Sequence, residues 1–388
     1  MGVIMGESKP AGLRGVAAAT PASRDRYVDF LRAASIGMVV LGHYLGTVIT
    51  DHHNRVAQHS LLDPVPQLKI LTWVLQIMPV FFFVGGFSNF VSLEAGRRRG
   101  EGVGAYLRRR TARLLRPSLV FLGAWTGLEV VLHLGGWGGT GLVRVSGLPF
   151  GPLWFLGVYL GVVAVSPVMA ALHRRFRWGA VAGLATAAAV VDLAHHGMHI
   201  GWIGWTNFGF VWLVAHQLGF FYADGTLTRA SRRALALTAG GGLVGMIALT
   251  ASHRYPVSMV GNGGDRFSNM NPPTLAIVAL TFWLVGLTML ARPAVSRWLA
   301  KPRPWMAVIA ANKVCMTVYL WHLTAMLASS LVLLHVGVHP SPLNPLFLPL
   351  AFATLGIFVA VFGRYERAPS PAPPAQPVRP GGTMSPRP

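Results

Sequence analysis

Apolar and polar positions along this chain come in blocks. Ten apolar runs, at about residues 30–49, 70–92, 114–134, 153–172, 178–194, 202–221, 234–251, 274–291, 305–329 and 345–363, are separated by short segments rich in Arg, Gly and Pro. About 20 apolar residues in a helix span the roughly 30 Å of a bilayer's hydrocarbon, and a helix satisfies its own backbone where water is absent. The pattern predicts an all-α, polytopic membrane protein with about ten transmembrane helices. The fifth run, "GAVAGLATAAAVVDLA", is short, and the start of the ninth is the least sharply marked.

The first run is not uniformly apolar. "YVDFLRAASIGMVVLGHYLG", residues 27–46, carries Asp29, Arg32 and His43, side chains whose burial in hydrocarbon costs free energy. Eleven residues separate Arg32 from His43, about three turns and roughly 16 Å along a helix axis. Both therefore lie on one face, with Asp29 one turn before Arg32.

Composition agrees with a membrane protein: 53% of the 388 residues are hydrophobic and 12% charged, with a mean hydropathy of +0.51. In a soluble chain the net charge of +21 would suggest nucleic acid, but its placement has another cause. Of the 33 Lys and Arg, 26 fall in segments on the side of the N-terminus and 5 on the other side, with Arg32 and Lys313 inside runs. That is the positive-inside pattern, and it predicts a multi-pass protein of the cell (cytoplasmic) membrane with both termini in the cytoplasm. Nucleic acid is thereby set aside as a partner. Cys315 is the one cysteine, so the chain has no disulfide of its own. The first run is too long for a signal-peptide core and is expected to stay as the first span. Residues 1–26 and 364–388, rich in Pro, Ala and Gly, are expected to be disordered ends flanking a transmembrane domain at 27–363.

Other polar residues mark candidate chemistry. The second run ends in Gly85, Gly86 and Asn89, which suit close helix approach or a break. Arg110, Arg113 and Arg116 then enter the membrane at i, i+3, i+6; forked guanidiniums suit a polyanion such as a phosphate ester, and they also suit plain lipid-headgroup anchoring. Trp154 opens the fourth run at the outer surface, where an aromatic-belt role is the simpler reading. Asn312, Tyr319 and His322 fall in the ninth run, which places His322 at a depth like that of His43. A sheltered imidazole near neutral pH is a competent base, and two core hydrogen bonds explain the histidines as well. Ten of the 14 His lie at outer loops or outer span ends. His195 and His199, with Asp192 nearby, have a spacing that can bind a metal. No Glu or Cys accompanies them, and they read as solvated side chains, with no metal expected. Asn271 in "SNMNPPT" is expected to cap the eighth span, with a Pro in its first turn.

These motifs together resemble the acyltransferase-3 family of integral membrane acyltransferases. Asp29, Leu31, Arg32 and His43 match its first-span pattern, and "FFFVGGF", Phe81 to Phe87, resembles its second-span ending. Arg110, Arg113 and Pro117 match its third span, Trp154 to Leu156 its fourth, and Tyr319, Leu320 and His322 its ninth. "SNMNPPT" resembles the actinobacterial branch. Where family members often carry Ser-Gly-Phe, this chain has Gly85-Gly86-Phe87, which puts a hydroxyl role there in doubt.

The resemblance implies O-acyl transfer, acetyl above all, from a cytoplasmic acyl-CoA to a hydroxyl of a glycan, glycolipid or glycosylated metabolite, with no metal. It implies His43 as general base with Arg32 assisting. Arg110, Arg113 and Arg116 would hold the coenzyme A phosphates, and Trp154, Tyr319, His322 and Asn89 would line the acceptor cavity. Membrane lipid is the surrounding partner, and a homodimer stays open. The alternative is a transporter or flippase using the buried Arg and His as a substrate or proton path, although the two halves of the chain show no repeat of the kind many transporters have.

Overall fold

Asp25 opens the first membrane helix. Its side chain accepts from the backbone N–H of Tyr27 and of Val28, each at 3.0 Å, and this N-cap begins α2, Arg26–Gly46. The computed structural model describes residues 13–21, 24–52, 55–60, 66–136, 147–151, 153–261 and 267–366. A short α1, Leu13–Ala18, precedes α2. After α2 the chain turns into an antiparallel hairpin, Thr47–His52 paired with Arg55–Ser60. The remaining long helices are α3 (Met78–Arg98), α4 (Val103–Leu134), α5 (Leu153–Phe176), α6 (Trp178–Asp192), α7 (Asn207–Ala223), α8 (Arg232–Ala251), α9 (Leu275–Leu299), α10 (Pro302–Asn312), α11 (Cys315–His335) and α12 (Phe347–Phe362).

The fold is an all-α polytopic membrane bundle. Nine helical segments among the described residues are long and apolar enough to cross a bilayer. The tenth expected span is α7, a helix of 17 residues that is buried along most of its length.

Four expectations need correction. The ninth span begins at Cys315, because the chain breaks between α10 and α11; Asn312 ends α10 and Lys313 caps it, so neither lies inside a span. Residues 13–21 of the N-terminal arm are not disordered: Val16 and Ala17 pack on Trp305 and its neighbours, and Trp305 Nε1 donates to Thr20 Oγ1 at 3.0 Å. Residues 364–366 likewise form a helical turn. Finally, Asn271 does not cap the eighth span. Helix α9 starts at Leu275, whose N–H donates at 2.7 Å to Asp192 from the end of α6. Residues 1–12 and 367–388 lie outside the described residues.

Glycine sets the tightest crossings. A Cβ on Gly86 of α3 would lie 1.9 Å from the His216 carbonyl oxygen of α7, and one on Gly219 would lie 2.1 Å from the Phe83 carbonyl oxygen. Backbone thus meets backbone, as small residues allow between membrane helices. Gly242 of α8 and Gly286 of α9 do the same, with clashes at 2.3 Å and 2.6 Å. On the basic side, Arg99 and Arg109 bind Glu101 in the turn between α3 and α4 and hold its carboxyl down to about 2.

Gly86→Ala is expected to cost about 2 kcal/mol or more through overpacking. Gly37→Ala, with nothing within 4 Å of the new Cβ, is expected to stay within about 0.5 kcal/mol of wild type. Thermal unfolding of the two variants in detergent checks the contrast.

Candidate active site

Two polar clusters sit at different depths of the bundle, and α2 contributes to both. At the basic end, Asp29 anchors the arginines. Its oxygens take Arg24 Nε at 2.5 Å and Arg32 Nη1 at 3.3 Å, and its carbonyl accepts from Asn312 at 2.8 Å. Arg32 Nη2 then donates to Ser88 Oγ at 3.0 Å. Arg110 reaches the same residue, donating to the Ser88 carbonyl, and its Nε is buried with no partner. Arg32, Arg110 and Arg113 line one cavity of about 100 Å³, together with Ser88, Tyr159, Cys315 and Glu366 among others. That volume is below the about 300 Å³ at which drug-sized ligands are enclosed, so in this conformation the cavity holds part of a ligand. Three guanidiniums, one with an orphaned N–H, fit an anionic group. Arg116 is exposed and outside the cavity lining.

Farther up α2, His43 meets α11. His43 Nδ1 lies 2.8 Å from His322 Nε2, with the rings stacked at 22°. His322 Nδ1 is 2.6 Å from the Tyr319 carbonyl, and Tyr44 donates to the His322 carbonyl at 3.0 Å. The Tyr319 carbonyl only accepts, so His322 Nδ1 carries a proton. In the neutral ring His322 Nε2 is then an acceptor, and His43 Nδ1 is the donor to it. The hydrogen-bond network therefore assigns the free lone pair of His43 to Nε2. A base fixed in tautomer and orientation by a second group is the geometry that proton abstraction needs.

A wall of rings stands between the clusters. Phe81 lines the arginine cavity and packs on Phe155 at 5.1 Å. Phe155 packs on Tyr319 at 5.4 Å, and Tyr319 lies 6.0 Å from His322. Neither histidine lines the cavity. Trp154 is 41% exposed at the amino-terminal end of α5, edge-on to Phe155 and Phe208. Asn89 is fully buried, 3.1 Å from His216, and lies outside the cavity lining. Asp192 accepts from Asn207, from the Tyr255 hydroxyl and from the Leu275 N–H, with His195 as an electrostatic neighbour.

The sequence matches the profile of the family described as "Acyltransferase domain" over residues 25–363, the acyltransferase-3 family. The chain belongs to that family. Its membrane-embedded helices thus carry an acyltransferase domain, and the two clusters are the candidate parts of its active site. No curated protein and no solved structure matches the chain.

Several cavity residues escape a reading of the family motifs. Tyr159 stands opposite Gly85, where an added Cβ would lie 2.8 Å from its ring and 3.0 Å from its hydroxyl. In this chain a phenol therefore takes the space beside the Gly85-Gly86-Phe87 departure. Glu366 had one available signal: it is the only acidic residue after Asp265. Ser88 and Cys315 carry no signal that spacing alone distinguishes from helix packing.

Cys315 is the chain's only thiol and lines the arginine cavity. A methanethiosulfonate bearing a sulfonate is expected to modify it roughly tenfold faster than one of equal size bearing a trimethylammonium. Arg110→Gln with Arg113→Gln is expected to shrink that ratio, as read by mass spectrometry of labelling time courses.

Proposed function

We propose that the protein is an acyl-CoA-dependent O-acyltransferase of the cytoplasmic membrane. It moves an acyl group, acetyl above all, to a hydroxyl of a glycan, glycolipid or glycosylated metabolite. The observation that carries this reading is the directed pair of hydrogen bonds from His43 through His322 to the Tyr319 carbonyl, set above an arginine cavity on the basic side of the bundle.

A thioester is already activated, so the protein must position it, remove one proton and stabilise one developing negative charge. Arg32, Arg110 and Arg113 hold the donor's phosphates from the cytoplasm, and the acyl end points toward the ring wall. His43 Nε2 takes the proton of the acceptor hydroxyl as the new C–O bond forms. The C–S bond breaks, and the proton leaves with the coenzyme A thiol. His322 is the positioning residue: it keeps His43 Nδ1 protonated and Nε2 basic. For donor and base to meet, the rings of Phe81, Phe155 and Tyr319 must part. Trp154, at the outer end of α5, lies on the acceptor's side of that wall. Asn89 acts through the α3–α7 packing, while Arg116 contributes charge at the mouth.

Transfer of a radiolabelled acetyl group from acetyl-CoA into membrane glycans, assayed in vesicles from a strain carrying the gene, tests the roles. His43→Ala is expected to lower the rate by about 10²–10⁴ while coenzyme A binding persists. His322→Ala leaves the base without its orienting partner and is expected to lose less. Arg110→Ala with Arg113→Ala is expected to lose donor binding. Equal rates in wild type and His43→Ala would remove His43 as the base.

A further inference from the structure

Glu366 comes from the turn after the last span, yet it closes the start of a different helix. Oε1 accepts from the Met316 N–H at 2.9 Å, and Oε2 accepts from the Thr317 N–H and the Thr317 hydroxyl, both at 2.9 Å. Val314, the residue that precedes α11, makes no side-chain cap bond of its own. The same carboxylate lines the arginine cavity and is an electrostatic neighbour of Arg113. Its surroundings are thus two backbone N–H groups at a helix amino end, a hydroxyl, and nearby guanidiniums. Those are also the groups that bind a phosphate.

We propose that Glu366 is an internal competitor for the phosphates of the ligand that enters this cavity. Its carboxylate fills the anion place at the start of α11 beside the arginines, and an incoming phosphate must exchange with it or bear its repulsion. Glu366 therefore sets how tightly a polyanionic ligand is held, and hence how readily the spent ligand leaves. This rests on the donor assignment above. A carboxylate that only caps α11 makes a different prediction: its loss lowers stability and leaves ligand affinity unchanged or weaker.

Calorimetric titration of the full chain in nanodiscs with coenzyme A separates the two. Glu366→Gln keeps the size and one accepting oxygen but removes the charge, and it is expected to tighten binding about three- to tenfold at low ionic strength, with the gain shrinking in salt. Glu366→Asp keeps the charge and is expected not to tighten it. Unchanged or weaker binding in Glu366→Gln overturns the proposal, as does equal tightening in Glu366→Asp, which would report a loosened α11. Thermal unfolding confirms that each variant is folded, and Glu366→Ser replaces the Gln variant if that one is not. Wild type that takes up no coenzyme A removes the donor assignment and this proposal together; wild type that binds it just as Glu366→Gln does removes this proposal alone.

Discussion

Inside hydrocarbon, a polar group without a protein partner costs several kcal/mol, because no water can replace the missing bond. The polar groups of both clusters answer to that constraint. Asp29 exists beside Arg32 because a guanidinium one turn into the membrane needs a carboxylate, and Ser88 completes the arrangement from α3. His43 finds its partner on α11, and His322 in turn finds a carbonyl on its own helix. Several buried polar atoms stay unpartnered, and the Arg110 Nε–H is one that belongs to a cavity-lining guanidinium; the histidine pairing, in turn, dictates where the lone pair of His43 lies.

The two sets of groups are separated by depth along the same helices. Along α2 the roughly 16 Å between Arg32 and His43 is filled on the neighbouring helices by Phe81, Phe155 and Tyr319. Gly85 gives the Tyr159 ring its place against this wall. The tight Gly86–Gly219 crossing holds α3 against α7.

Much of this was legible in the sequence. Run lengths and the Lys and Arg bias located the spans, and the Arg32–His43 spacing put both on one face. Arg110 and Arg113 do face the same cavity as Arg32. The features that were not legible depend on contacts between residues far apart in the chain. Nothing local tells that His43 Nδ1 meets His322 across 279 positions. Nor does anything local tell that Asp192 starts α9 in place of Asn271. The break at Lys313 was missed because α10 is apolar enough to merge with the ninth run. Asn89 likewise meets its partner, His216, 127 positions away.

The central claim is that a donor held by the arginines reaches the histidine pair through the ring wall. A cryo-electron-microscopy structure of the protein with a non-hydrolysable acetyl-CoA analogue tests this most directly. The account requires phosphates against Arg32, Arg110 and Arg113, with Phe81 and Phe155 parted and the acyl carbon near His43 Nε2. An analogue bound with its acyl end stopped below an unmoved ring wall, or bound away from those arginines, would contradict it.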